Sequence, residues 1–595
     1  MSTNKQVLIY TLILGVVVMS SCSKKLEEYN PSKPAPGTVW STPGGFVTNV
    51  NGAYSFIPYL YGNDENGLFL SEPGTDLWYN YNKSAYDIDV TQYQNFTSAS
   101  NPVTGVWTTL YKGINQCNAG IGRIDGAGFT NAVEKNMRLA ELKFLRGFYY
   151  WWVVESFGGV VLDTVETTTA DLTAQRSPVP AFYDLIVRDL QYAVANLPAQ
   201  SGANSNVSGN TWEYGRATQG AAMALLARVY LSRAYYNTGD ANSWFQKARD
   251  MAAQVIANKS QYNVDLYANY ADMWNPTNRV PSSTNKNNKE ALFTATYSSN
   301  TAIIINGNGN RTNLWFLTNY SGFSGKSIPG LTISIPYGND QKNRRFMPTR
   351  ALLNFYNDTI DSRYAASFQQ VWLCNKAYTW TASDAAAFGK DPSVVGKAMK
   401  VGDTAMFVSK HPIPNPSLRP YACFGVDSTY NPNGSISNTG GDRYVVLTKY
   451  LDPLTKTGTT TYPGYLDLPV LRLAEQYLIV AEADVALGNL TEAATYVNVL
   501  RTRAAVKTPV DHTAEMQVTS GSINLDFILD ERARELCGEY QRWFDLKRTG
   551  KLQSRIQAYN PDITNFNPNY SLRPVPLSEM QALTNAAGFG QNPGY

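Results

Sequence analysis

Two histidines, His411 and His512, and five cysteines are all that a chain of 595 residues offers to a nucleophilic or metal-assisted mechanism of the usual kind. Activation of a serine or cysteine needs an imidazole or comparable base within hydrogen-bond reach. Neither histidine falls in a G-x-S-x-G, H-E-x-x-H or related pattern, and His411, followed by Pro412, reads as a loop residue. Two glycine-containing loops approach phosphate-binding motifs without completing them. Gly307-Asn308-Gly309-Asn310-Arg311-Thr312 carries Thr where a dinucleotide fingerprint needs its third Gly. Gly325-Lys326-Ser327 ends like a phosphate loop whose first Gly would fall at Tyr320. A carboxylate pair for glycoside hydrolysis leaves no linear signature, so that reaction stays open as the enzymatic alternative. No catalytic residue is assigned.

The chemistry the sequence does specify lies at Cys22. Lys5 precedes an apolar run from Val7 to Met19, and Ser20-Ser21 lead into Cys22-Ser23-Lys24-Lys25. A basic start, an apolar stretch too short to span a bilayer and small residues before a cysteine make a secretory signal over 1–21. The arrangement resembles a bacterial lipoprotein signal, in which Cys22 becomes the N-terminus and carries acyl chains that hold the body at a membrane surface. Residues 22–42, rich in Pro, Ser and Lys, read as a tether, and 43–595 as a single body without a transmembrane span. Export permits a disulfide. Cys374 to Cys423 is one choice, and free buried thiols at Cys117, Cys374, Cys423 and Cys537 are the other. The absence of C-x-x-C pairs argues against structural zinc, no pattern indicates a structural Ca2+ ion, and no cofactor is implied.

A net charge of +3 with 16% charged residues gives no field for nucleic acid. The composition is notable instead for 39 Tyr against 23 Phe, with 12 Trp. Rings that carry hydroxyls suit surfaces with a flat apolar face and a hydrogen-bonding edge, the combination a pyranose asks for. The same surplus also suits half-buried positions in a loop-rich protein.

The elements that must position such groups are mainly helical. Apolar periodicity predicts helices over 43–57, 103–124, 130–157, 181–197, 217–236, 243–257, 468–487 and 490–505, giving a scaffold from about 43–60, 103–257 and 466–550. Several come in pairs around short Gly-containing turns, approaching the tetratricopeptide pattern. Residues 258–465 are different. They are rich in Asn, Gly, Ser, Thr, Pro and aromatics, with short runs at 302–305 and 444–448 that suit brief strands, and they predict an ordered, loop-built lobe on the helical platform.

The carboxy-terminal third carries the most specific motifs: Leu471-Arg472-Leu473-Ala474-Glu475, Asn498-Val499-Leu500-Arg501-Thr502-Arg503, Ile528-Leu529-Asp530-Glu531-Arg532-Ala533-Arg534-Glu535-Leu536 and Arg542-Trp543-Phe544-Asp545-Leu546-Lys547-Arg548. With Asn51-Gly52-Ala53-Tyr54, the run from Arg138 to Tyr150 and Phe346-Met347-Pro348-Thr349 ahead of Asp361-Ser362-Arg363, the set resembles the SusD/RagB family of Bacteroidetes outer-membrane lipoproteins. Their charges at i, i+3 and i+4 spacings predict ion pairs that tie the last helices to the platform. The resemblance implies a mainly α, SusD-like fold and a binding protein, not an enzyme. It implies a lipid-anchored location on the cell-surface side of the outer membrane, capture of oligo- or polysaccharide, and delivery to a SusC-type TonB-dependent transporter. Some relatives of the family suggest a peptide ligand on the same architecture.

Two aromatic clusters in loops supply ligand candidates in that setting. One is Asp76, Trp78, Tyr79, Asn80 and Tyr81, followed by Tyr86 and Tyr93, in a region from which family members contribute contacts. The other is Arg311, Trp315, Tyr320 and Phe323. Two rings from separate loops would form a stacking platform, with Asp76, Asn80 and Arg311 bonding sugar hydroxyls. The alternative is that Trp78 and Trp315 anchor their loops in small cores.

Overall fold

The computed structural model describes residues 39–169, 172–236, 239–280, 288–298, 309–323, 326–337, 345–437, 442–455 and 464–595. The signal over 1–21, Cys22, most of the tether and the run 302–305 lie outside them, as do parts of both glycine-containing loops.

The chain opens with α1 (Pro43–Tyr54), the short α2 (Asn66–Ser71) and strand β1 (Trp78–Asn80). Helices α3 (Asn101–Arg123), α4 (Ala132–Phe157), α5 (Val179–Asn196), α6 (Gln219–Ala234) and α7 (Ala241–Ala257) follow, each packed on the next. The lobe contributes β2 (Ala291–Ala295), β3 (Phe346–Pro348), β4 (Val371–Leu373), β5 (Thr404–Val408) and β6 (Ala422–Phe424). Strand β7 (Leu468–Arg472) then runs without a loop into α8 (Leu473–Leu487), followed by α9 (Leu490–Ala504), α10 (Leu525–Leu536), α11 (Arg542–Arg548) and α12 (Leu552–Tyr559). Long helices, short strands and a large irregular lobe make the fold mainly α.

Local chemistry sets the helix ends. Asn131 accepts from the backbone N–H groups of Val133 and Glu134 to start α4, and Thr218 accepts from Ala221 to start α6. Gly488, at φ +83°, ends α8 in the left-handed conformation that glycine adopts without a Cβ penalty. The predicted helix at 468–487 is corrected at its start. Leu468-Pro469-Val470-Leu471-Arg472 pair antiparallel with β2, where a run of buried apolar residues serves a strand as well as a helix.

That pairing explains the architecture. Helix α7 packs on α8 although more than two hundred residues separate them, so the lobe is an insertion into a continuous helix array, and β2 with β7 closes its two ends. Within the lobe, β4, β5 and β6 form a three-stranded sheet with β5 in the middle. Cys423 lies on β6 and Cys374 follows β4, so the central strand keeps them about two strand spacings, roughly 10 Å, apart. A disulfide needs Cα atoms within about 7 Å; all four described cysteines are free thiols. No helix among the described residues is long and apolar enough to cross a membrane.

Helices α6 and α8 are buried almost all round, so their charged side chains need partners inside the protein. Arg228 of α6 reaches Glu475 of α8 at 2.6 Å, and Arg472 binds Glu290 and Glu535, both at 2.8 Å, with Glu539 at 2.6 Å. Arg363 spans Asp361 and Glu531, each at 2.8 Å, and Arg503 reaches Glu290 at 2.8 Å. The expected ion pairs thus tie α10 to the platform, wholly buried. Burial alone would raise the Glu531 and Glu535 carboxyls, but the surrounding arginines outweigh it and hold both well below the usual carboxylate range.

Candidate ligand site

The structure brings the two aromatic clusters together. Strand β1 pairs with β3, placing Trp78 opposite Pro348 and Asn80 opposite Phe346. One residue beyond, the Tyr81 N–H donates to the Arg345 carbonyl at 2.7 Å, and the Arg345 N–H donates to the Trp315 carbonyl at 3.1 Å. Segments more than two hundred residues apart therefore lie side by side.

Most of the candidates face inward, which corrects their expected role as a stacking platform. Asp76 is fully buried, its carboxylate bound by Arg542 at 2.8 and 2.6 Å and by Arg555 at 3.0 Å. Burial would raise this carboxyl, yet the two guanidinium groups lower it. Trp78 donates its indole N–H to Glu72 at 3.0 Å and packs edge-on against Phe316. Tyr79 is buried with its hydroxyl on the Gly434 carbonyl, and Asn80 donates to Thr91 at 2.7 Å. Tyr320 is buried beside Tyr337, and Tyr93 stacks on Tyr570. Trp315, 4% exposed, packs edge-on against Phe69. Trp78 and Trp315 are thus anchors of their loops. A ring with no open face has nothing to offer a ligand, and a carboxylate between two arginines has no spare charge.

What remains accessible is the rim above these anchors. Tyr81 is half-buried, Tyr86 is 36% exposed, and the Arg311 guanidinium lies 5.9 Å from the Trp315 ring and 3.8 Å from Glu65. Sequence reasoning missed Arg345, whose guanidinium lies 5.9 Å from the same ring and pairs with Asp87. It also missed Asp64 and Glu65. Their signal was weak: a charged residue next to Phe346-Met347-Pro348 and an acidic pair in a polar turn. Arg345 Nε has no hydrogen-bond partner among the described residues. Burial pushes the Asp87 carboxyl up to about 6, partly offset by Arg345, and burial with the neighbouring Asp64 charge raises Glu65.

The rim therefore combines two guanidinium groups, the two partly exposed carboxyls of Asp64 and Glu65, and two partly open tyrosine rings, with the buried Asp87 carboxyl beneath Arg345. Guanidinium and carboxyl groups bond neighbouring hydroxyls in pairs, while an open ring takes the C–H face of a sugar. Among the described residues no three His, Cys, Asp or Glu side chains are grouped to hold a metal ion.

The fold defines a class: helix pairs in an array, interrupted by a loop-built lobe, with the accessible aromatic and charged groups where the loops between α1 and α3 meet that lobe. Two family models match the chain, one for the SusD family over residues 423–595 and one described as starch-binding associating with outer membrane over residues 59–231. The chain belongs to the SusD family. It is 25% identical to SusD-like protein P2 of Formosa agariphila, over 98% of this chain and 99% of that one. It is also 25% identical to the starch-binding protein SusD of Bacteroides thetaiotaomicron, over 99% and 98%. Its fold matches a laminarin-binding SusD-like protein with a TM-score of 0.66 at 20% identity, covering 93% of this chain and all of that one.

Proposed function

We propose that this protein captures an oligo- or polysaccharide on the rim where the loops between α1 and α3 meet its lobe and delivers it to a SusC-type TonB-dependent transporter, held at the outer membrane by acyl chains on Cys22. It binds without turnover. The observation that carries the reading is the rim itself: Tyr81 and Tyr86 partly open, with Arg311 and Arg345 each 5.9 Å from the ring of the Trp315 anchor. The starch-binding and laminarin-binding relatives support a glucan as the first ligand class to try. Capture ahead of transport calls for micromolar to millimolar affinity, about −8 to −4 kcal/mol.

The test is a binding screen of the chain from Ser23 onward against soluble polysaccharides and peptides, with Arg311→Ala and Tyr86→Ala in parallel. Expected is binding to one glycan class without product release, weakened about tenfold in each variant while the melting temperature holds. Binding to peptides alone, or affinity for glycans that neither variant changes, would overturn the assignment. Release of shortened sugars would favour the hydrolase.

A further inference from the structure

Arg279 is a buried cation that no described residue answers. It follows the short helix Tyr270–Trp274, is 2% exposed, and none of its three guanidinium nitrogens has a hydrogen-bond partner among the described residues. The indole Nε1 of Trp274, itself buried, has none either, and the guanidinium carbon lies 5.7 Å from that ring. Two more cations stand around the same indole, Lys449 at 4.8 Å and Arg472 at 6.0 Å. Both are met by carboxylates: Lys449 by Glu539 at 2.7 Å, and Arg472 by Glu290, Glu535 and Glu539. The acids whose charge reaches Arg279 are engaged elsewhere. Asp452 accepts the backbone N–H groups of Leu454, Thr455 and Tyr465 at 2.9–3.1 Å, and Asp467 accepts that of Tyr297 and is kept protonated at neutral pH by burial. Burial pushes the Arg279 guanidinium down to about 10, which leaves it charged at neutral pH.

A buried charge without a partner is among the costliest groups a fold can hold, and neighbouring buried donors without an acceptor define what would relieve it. The acceptor must be anionic, because Arg279 contributes one unmet positive charge. It must be monovalent, because the Asp452 carboxylate repels a second negative charge. It must also be small, because both donor groups are enclosed and neither a polymer nor a peptide end reaches them. We infer that Arg279 and the Trp274 indole N–H bind a monovalent anion of halide size, such as chloride. The Asp467 N–H donates to the Arg279 carbonyl at 2.9 Å, and Asp467 immediately precedes β7. The ion therefore helps fasten the start of β7 to the chain that leads into β2, where the two ends of the lobe close. This site is structural, and it does not depend on the glycan reading of the rim.

The experiment follows thermal unfolding of the chain from Ser23 onward, and of its Arg279→Met and Trp274→Phe variants, as sodium chloride replaces sodium isethionate at constant ionic strength. An ion that binds only the native state raises the midpoint in a saturable way, by about 2 °C for a chain of this size at a hundredfold excess over the dissociation constant. Expected is that rise in wild type, a smaller one in Trp274→Phe, which keeps a ring but loses the N–H, and none in Arg279→Met. Equal responses of wild type and Arg279→Met, or no response in wild type, would overturn the site. If Arg279→Met does not fold, wild-type crystals soaked in sodium bromide decide the question. An anomalous peak within hydrogen-bond reach of the Arg279 guanidinium and Trp274 Nε1 upholds the site, and bromide found only elsewhere overturns it.

Discussion

Asp467 sits where a carboxylate is costly to ionise. It is 2% exposed, accepts the Tyr297 N–H at 2.9 Å, and burial pushes its carboxyl up to about 8, with that N–H and the nearby Arg279 pulling the other way. An acid raised by folding stabilises the native state fully below its unfolded value near 4. That contribution is lost as pH rises through 8, because the unfolded chain releases a proton that the native state keeps. Asp467→Asn retains an acceptor for Tyr297 without the charge. It is expected to become more stable than wild type by about 2 kcal/mol at pH 8 and to match it near pH 4, read from urea midpoints across that range. Parallel pH profiles would refute this account. The candidate site shows at this scale what a sequence hides. Asp76 through Tyr81 holds the residue types of a sugar platform, but nothing local reveals that Arg542 and Arg555, 466 and 479 positions away, close on Asp76. Tyr86 and Arg311 were legible because they remain at the surface of their loops, whereas Arg345 carried no pattern of its own.

Helices were the readable elements. Their periodicity, caps and glycine stops are local, and the observed ends of the long helices fall within about two residues of the expected ones. The miss at 468–472 has a physical cause: only pairing with β2 chooses strand over helix for that apolar run, and β2 lies in the lobe. Gly488 offers a clean measure of one stop signal. A Cβ there would meet no atom within 4 Å, so Gly488→Ala acts through the backbone alone, with φ at +83°. Thermal unfolding is expected to show a loss of about 1 kcal/mol; an unchanged midpoint would mean that the turn relaxes at no cost.

The whole molecule is held by contacts between its two ends. Glu72 accepts N–H groups from Gly538, Gln541 and Arg542 as well as Trp78, Asn560 donates to the carbonyls of Thr75 and Trp78, and Arg573 donates to that of Leu70. Deleting residues 550–595 would strip Arg555 from Asp76 and leave those carbonyls without their donors. Loss of one partner from a buried ionic site costs about 3–5 kcal/mol, so the truncated chain is expected to lose cooperative unfolding and resistance to limited proteolysis; a protease-resistant remainder would show that the ends are separable. The scaffold was legible in the sequence because helix pairs are local, and the closure between ends was not. That closure also sets a timetable. A ribosome working at about 5–20 residues per second makes Asp76 roughly half a minute or more before Arg542, and through that interval the amino-terminal segment has no finished core to collapse into. Until then Asp76 and Glu72 lack the guanidinium and backbone donors that hold them in the folded protein.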